Sequence, residues 1–172
     1  MTVQRKKVQV SVVDMAKLHI RWMIRRDMEE VLAMEQANYD PPWCEEDFLS
    51  ALRQRNCIGM VAESPDDSSV GFSVFGAMIY ELHTHSLVVS NFCVHPAHRH
   101  RGIGTAMVNK LKSKLSSMRR LSVAFVLRES NLSGLMFLKR QGFIATRFIR
   151  DRFEKTDGRD EEGGIRMKYW IQ

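Results

Sequence analysis

The residues best suited to chemistry sit in one short stretch, Arg99-His100-Arg101-Gly102-Ile103-Gly104-Thr105. Upstream lies an apolar run, Leu87-Val88-Val89 and then Phe92-Cys93-Val94, whose β-branched and aromatic content predicts a buried strand stopped by Pro96. Downstream, Ile103, Met107, Leu111, Leu115 and Met118 recur at helical spacing and predict a helix with those five on one face. Strand, glycine turn and helix N-terminus together make an anion site. First-turn N–H groups lack intrahelical partners, the helix dipole favours negative charge, and glycine lets a phosphate approach the backbone. The stretch is not a P-loop, because no Lys-Ser/Thr follows the glycines. Nor is it the dinucleotide fingerprint, because Arg99-x-x-Gly102-x-Gly104 lacks the first glycine. On these residues alone, an ordinary tight turn in a basic loop is the competing reading.

Few other residue sets suggest chemistry. Cys44, Cys57 and Cys93 are too far apart for a C-x-x-C or a metal site, and their odd number without a secretory signal reads as reduced thiols. His83 and His85 flank a turn without evident metal-ligand partners, so no metal is expected.

With 172 residues the chain is long enough for one domain with its own core, and its 44% hydrophobic and 27% charged content is ordinary for a soluble protein. No apolar run nears the ~20 residues that span a bilayer, so neither a membrane nor a secretory route is expected, and the expected location is cytoplasmic. The net charge of +6 could suit nucleic acid. No aromatic-basic interleaving accompanies it, and a polyanionic cofactor at Arg99 is the preferred reading.

Residues 1–17 read as an extension, with Val8, Val10, Val12 and Val13 hinting at a strand, and the domain proper spans 18–172. A strand is predicted from His19 to Ile24, then a helix to Asn38 capped by Asp27. Pro41-Pro42 forces an extended entry to a second helix, with Glu45, Glu46 and Asp47 in its first turn. Strands are predicted over 58–63 and 70–82, the latter prone to a bulge at Gly76, with a turn at 64–69 between them. After the central strand and helix come a strand at 122–127 and a helix from Ser130 or Asn131 to Gln141, stopped by Gly142. A hairpin of 144–153 and 165–171 closes the chain.

The segment Arg99-His100-Arg101-Gly102-Ile103-Gly104, preceded by Val94-His95-Pro96, resembles motif A of the GNAT superfamily of acetyl-CoA-dependent N-acetyltransferases. Asn131 with Gly142-Phe143 resembles that family's motif B. The resemblance covers roughly residues 20–170. It implies an α/β fold with a mixed, mostly antiparallel sheet of six or seven strands, splayed between strands four and five, with flanking helices. It also implies acetyl-CoA as cofactor, without a metal. The backbone of His100, Arg101, Gly102, Ile103, Gly104 and Thr105 would hold the pyrophosphate, with the charge of Arg99 at the same mouth, and Phe92, Cys93, Val94 and Asn131 the pantetheine arm. Pro42-Trp43-x-Glu45-x-x-Phe48 after Glu35-Gln36, with Thr156-Asp157-Gly158-Arg159, resembles the ribosomal-protein-alanine N-acetyltransferases. That likeness implies a peptide wall of Glu35, Tyr39 and Trp43.

Acetyl transfer to an amine needs a deprotonated nucleophile, N–H donors for the oxyanion and, for the thiolate, an acid. The ribosomal-protein-alanine relatives place a glutamate or histidine base five residues before the asparagine and a tyrosine acid seven after it. This chain has Val126 and Leu138 there. Glu129 is the preferred substitute base, with Glu35 or Tyr39 as alternatives for positioning a water, and proximity as a further source of rate. Direct transfer in a ternary complex needs no covalent intermediate, so Cys93 is not promoted to nucleophile. The expected function is acetylation of a protein amine, foremost an N-terminal α-amine, with a protein or peptide partner such as a ribosomal protein, and with a monomer or homodimer. A small-amine acetyltransferase for polyamines or antibiotics and a non-catalytic coenzyme A sensor remain the alternatives.

Overall fold

The computed structural model describes residues 13–65, 72–153 and 161–171. The strand suggested by Val8, Val10 and Val12, residues 66–69 of the expected turn and the segment 156–159 lie outside the described residues.

Seven strands form one sheet: β1 (His19–Trp22), β2 (Cys57–Pro65), β3 (Phe72–Leu82), β4 (Ser86–Val94), β5 (Ser122–Arg128), β6 (Ile144–Phe153) and β7 (Glu162–Trp170). Their spatial order is β1-β2-β3-β4-β5-β7-β6. Every pairing is antiparallel except β4 with β5. Four helices flank the sheet: α1 (Met28–Asn38), α2 (Glu45–Leu52), α3 (Ile103–Lys112) and α4 (Leu132–Arg140).

Strand alternation divides the core into two layers. On one face Met60, Met78, Tyr80, Leu87, Val89 and Phe125 pack with Ile103, Met107 and Leu111 of α3 and Leu138 of α4. On the other, Val61, Ala77, Ile79 and Cys93 meet Met28, Val31 and Met34 of α1 and Phe48 of α2. Each fully buried side chain of this size is worth about 1.5–3 kcal/mol. Gly76 lets α3 come close, because a Cβ there would stand 2.7 Å from Met107 Sδ.

Two bulges shape the central strands. Pairing of β2 with β3 shifts so that Phe75 is the extra residue, next to Gly76, and Glu30 Oε2 accepts the adjacent Val74 N–H at 2.8 Å. Pairing of β3 with β4 shifts at Ser90, since Ile79 faces Asn91 and Tyr80 faces Val89. Beyond that bulge β4 leaves β5: their register runs from Ser86↔Ser122 to Val89↔Phe125 and stops. Bulges bend and twist a strand, so the sheet opens into a wedge here.

Three local expectations are corrected. The helix from Ile103 ends at Lys112 rather than near Met118. Ser113 Oγ donates to the Lys110 carbonyl at 2.8 Å, offering the chain an alternative to another helical turn. Met118 is therefore 89% exposed and Leu115 only half-buried. Asp27 does not cap α1. Its carboxylate is held by Arg21, at 2.7 and 2.8 Å, and by the Ile24 N–H at 2.8 Å. The first strand is also shorter, ending at Trp22.

Arg21 bridges Asp27 and Glu63, both buried, with Glu63 Oε2 at 2.6 Å. Burial is the largest influence and alone would raise both carboxyls, but Arg21 together with the Ile24 N–H and Arg26 at Asp27, and with His19 at Glu63, holds them below their usual range.

Candidate functional site

The wedge has two free edges, residues 91–94 of β4 and 126–128 of β5. At the β4 exit Pro96–His98 forms a single 3-10 turn, and the chain then enters α3 through His100 at φ 61° and Gly102 at φ 91°. Gly102 is the N-cap, and no side chain hydrogen-bonds to the first-turn N–H groups, while Met15 Cε would stand 3.3 Å from a Cβ added at Gly102. A non-glycine residue there would be strained. Gly104 faces Phe137 and Phe92, whose ring atoms would stand 3.3 and 3.5 Å from an added Cβ. The floor near Gly104 is aromatic, since Phe92 lies 6.0 Å from Phe125 and 6.2 Å from Phe137.

Side chains in the expected anion turn have distinct fates. Ile103 is buried in the core, so only its backbone can face a ligand. The Arg99 guanidinium donates to Asn38 Oδ1 at the end of α1. Arg101 and His100 are exposed. Thr105 Oγ1 accepts from Gln141 Nε2 at 3.1 Å, tying α3 to the end of α4. Just before the turn, His98 is buried against Phe75 with Nδ1 unpartnered, and burial lowers its pKa, aided by His95 and Arg101.

On the other face, three residues expected in a peptide wall converge on β4. Glu35, in the last turn of α1, is 1% exposed, and its Oε1 accepts Asn91 Nδ2 at 2.9 Å and the Trp43 N–H at 3.1 Å. Glu35 Oε2 and Asn91 Oδ1 are buried without a partner. Burial pushes the Glu35 carboxyl up, and its two hydrogen bonds only partly offset this. Tyr39 is the C-cap of α1, and its hydroxyl donates to the Phe92 carbonyl at 2.5 Å. Trp43 packs edge-on against Phe48, with ring centroids 5.2 Å apart. The α1–α2 connection is thus fastened to the stretch of β4 that has left β5.

Cys93 shares this layer. Its thiol is buried and its pKa is pushed up to about 12, chiefly by desolvation, which makes it inert as a nucleophile. Asn131 is the N-cap of α4, its Oδ1 accepting the Gly134 N–H at 2.9 Å. Gly142, at φ 82°, stops that helix, with the Phe143 N–H returning to the Leu138 carbonyl at 3.0 Å.

Glu129 follows β5 directly. It is exposed, and its Oε1 accepts the Gly163 N–H at 3.3 Å. Leu138 belongs to the core at 1% exposure, whereas Val126 is half-buried on β5. The structure therefore brings Glu35, Tyr39 and Trp43 together with Asn91, Phe92 and Cys93 on β4, while Glu129 stands on the strand opposite. Asn91, Asn38 and Gln141 were missed by sequence reasoning. A signal existed only for Asn91, an amide at an inward position of an apolar run.

A family model, the acetyltransferase (GNAT) family, matches residues 17–143. The chain belongs to that family. The match runs from before β1 through motif A and α4 to Phe143. Three solved structures share the GNAT architecture. The ribosomal-protein-S18-alanine N-acetyltransferase of Escherichia coli superposes with a TM-score of 0.74 at 21% identity, covering 90% of this chain and 94% of its own. NAA60 of Arabidopsis thaliana, in complex with a bisubstrate analogue, gives 0.76 at 15%, covering 90% and 98%. Ard1 of Thermoplasma volcanium gives 0.76 at 21%, covering 91% and 99%. At these identities the likeness is one of fold. No curated protein sequence matches the chain significantly.

Among the described residues no group of three or more His, Cys, Asp or Glu side chains could hold a metal ion. Likewise, no helix among them is long and apolar enough to cross a membrane.

Proposed function

We propose that this GNAT domain transfers the acetyl group of acetyl-CoA to a protein amine, foremost an N-terminal α-amine. The observation that carries the reading is the wedge itself. A glycine-lined helix N-terminus stands at one end, and the fastened α1–α2 wall lies along its free strand. Acetyl-CoA supplies the activated thioester. Its pyrophosphate would take the first turn of α3, where no side chain hydrogen-bonds to the N–H groups. The free edge of β4 offers backbone groups to an extended pantetheine arm in the manner of strand addition. Asn131, with Oδ1 engaged as a cap, keeps its amide N–H groups for that arm.

On the acceptor side, Tyr39 and Glu35 hold the α1–α2 wall against β4, and Trp43 supplies an aromatic surface for an extended peptide. Glu129 is the proposed proton acceptor, an exposed carboxylate at the mouth of the wedge that can act through one water. An α-amine has an ordinary pKa of about 7.7–8.0, so much of it is already neutral near pH 8 and asks little of a base. Peptide acceptors suit this chain for that reason, because Val126 and Leu138 move no proton. The three structural relatives, one of them a ribosomal-protein N-acetyltransferase, support the same direction.

The test is thiol release from acetyl-CoA with peptides beginning Ala, Ser, Thr or Met, beside lysine peptides and polyamines. Turnover on free N-termini, abolished by capping the amine, is the expected result. Faster turnover of polyamines would replace the peptide reading. Saturable acetyl-CoA binding with no turnover on any amine would make the protein a coenzyme A sensor.

A further inference from the structure

Away from the wedge, between β1 and the far end of α3, the protein has a groove of about 460 Å³ that the proposed reaction does not use. That volume lies within the roughly 300–1,000 Å³ of small-molecule sites. Its apolar surface comes from Ile20 and Met60, and Trp22 stands beside them with 72% of its surface exposed. Lys110, in the last turn of α3, and Lys114, two residues beyond its end, supply its charge, and among the described residues neither ammonium has a carboxylate within 4 Å. Tyr80 completes the wall. Its side chain is fully buried, yet its hydroxyl has no hydrogen-bond partner.

Each feature is unexplained by folding alone. A buried hydroxyl without a partner costs about 1–3 kcal/mol. A large exposed indole leaves apolar surface in water. Two neighbouring ammonium groups repel each other until an anion arrives. One kind of ligand answers the last two: a flat ring against Trp22 and an anionic group at the lysines.

We propose that this groove is a binding site for a small aromatic anion, such as an aromatic carboxylate, separate from the acetyl-CoA wedge. The separation follows from α3 itself. Lys110 lies six residues beyond Gly104, roughly 9 Å along the helix at 1.5 Å per residue, and Lys114 lies further still. An occupant would bridge β1 and α3 without touching the glycine turn.

Amide and indole chemical shifts of the labelled full-length protein, titrated with 2-naphthoate, test the proposal. The Trp22 indole N–H, assigned with Trp22→Phe, and the Lys110 and Lys114 amides should move saturably. The same shifts should appear with acetyl-CoA present. The uncharged analogue 2-naphthylmethanol should bind more weakly. Replacing both lysines, Lys110→Gln with Lys114→Gln, should weaken naphthoate binding about twofold to thirtyfold, the range for two exposed charge contacts. Both lysines are exposed, so the unliganded spectrum should stay folded. Absence of saturation, unchanged affinity in the double lysine variant, or displacement of naphthoate by acetyl-CoA would each overturn the assignment.

Discussion

On the α3 side of the wedge the proposed recognition groups are backbone N–H groups in the turn of Gly102 and Gly104, whereas on the α1–α2 side they are side chains, with Glu35 bonded to Asn91, Tyr39 bonded to the Phe92 carbonyl and the Trp43 N–H tied to Glu35. The first wall depends on local sequence: a strand end, two glycines and an amphipathic helix, contiguous in the chain. The second depends on residues 35–43 meeting residues 91–92, which only the finished fold brings together. A wall of peptide groups tolerates side-chain drift except at the glycines. A wall of side chains can be retuned for a new acceptor while the cofactor turn stays as it is.

Breaking the first wall should have the largest effect. Gly104→Leu would drive a side chain into Phe137 and Phe92, and acetyl-CoA affinity by calorimetry should fall at least about 100-fold, the loss expected when a bulky side chain occupies a close-approach site. Retained affinity would mean that the anion turn is not where the pyrophosphate sits.

Breaking the second wall should spare the cofactor. Glu35→Ala strands the Asn91 amide and the Trp43 N–H, at about 1–3 kcal/mol each in stability. Peptide KM should rise about tenfold while acetyl-CoA affinity holds. Glu35→Gln separates charge from contact, since its carbonyl oxygen can still accept both bonds. Because the native carboxyl of Glu35 is raised, its protonated form favours the fold. Wild-type stability from this group is present below the ordinary glutamate value and declines as pH climbs through the raised native value. Urea midpoints of Glu35→Gln should lack that decline. An equal decline in both proteins would assign it to another group.

The smallest effect belongs to the proposed proton acceptor. Glu129→Gln should lower kcat about threefold to tenfold, and kcat/KM should still rise towards pH 8 with the α-amine's own ionisation. A loss of 1,000-fold would show that Glu129 does what Val126 and Leu138 do not.

Much of the fold was legible because its signals are local: the β-branched and aromatic run of β4, the Ile103-Met107-Leu111 stripe and the glycine stop at Gly142. The misreadings share one physical cause. Asp27 looked like a cap because its partner, Arg21, lies on the preceding strand and competes for the same oxygens. Met118 fitted the helical period, but Ser113 had already taken the Lys110 carbonyl. Asn91 gains its meaning only from Glu35, and 56 residues separate the two. Contacts fixed by tertiary structure leave little trace in a single sequence, and the acceptor wall consists of such contacts.

The short β4–β5 register has a consequence for cooperativity. Strands β1 to β4 form one continuous meander and β5 to β7 another group, and the two are laced by only four residue pairs, Ser86–Val89 with Ser122–Phe125. Such a seam is where partial opening is easiest, with the core layer under α3 left to hold the two groups of strands together. A molecule lying along the wedge would touch both and act as a removable stitch, and the seam should open less while the donor is bound.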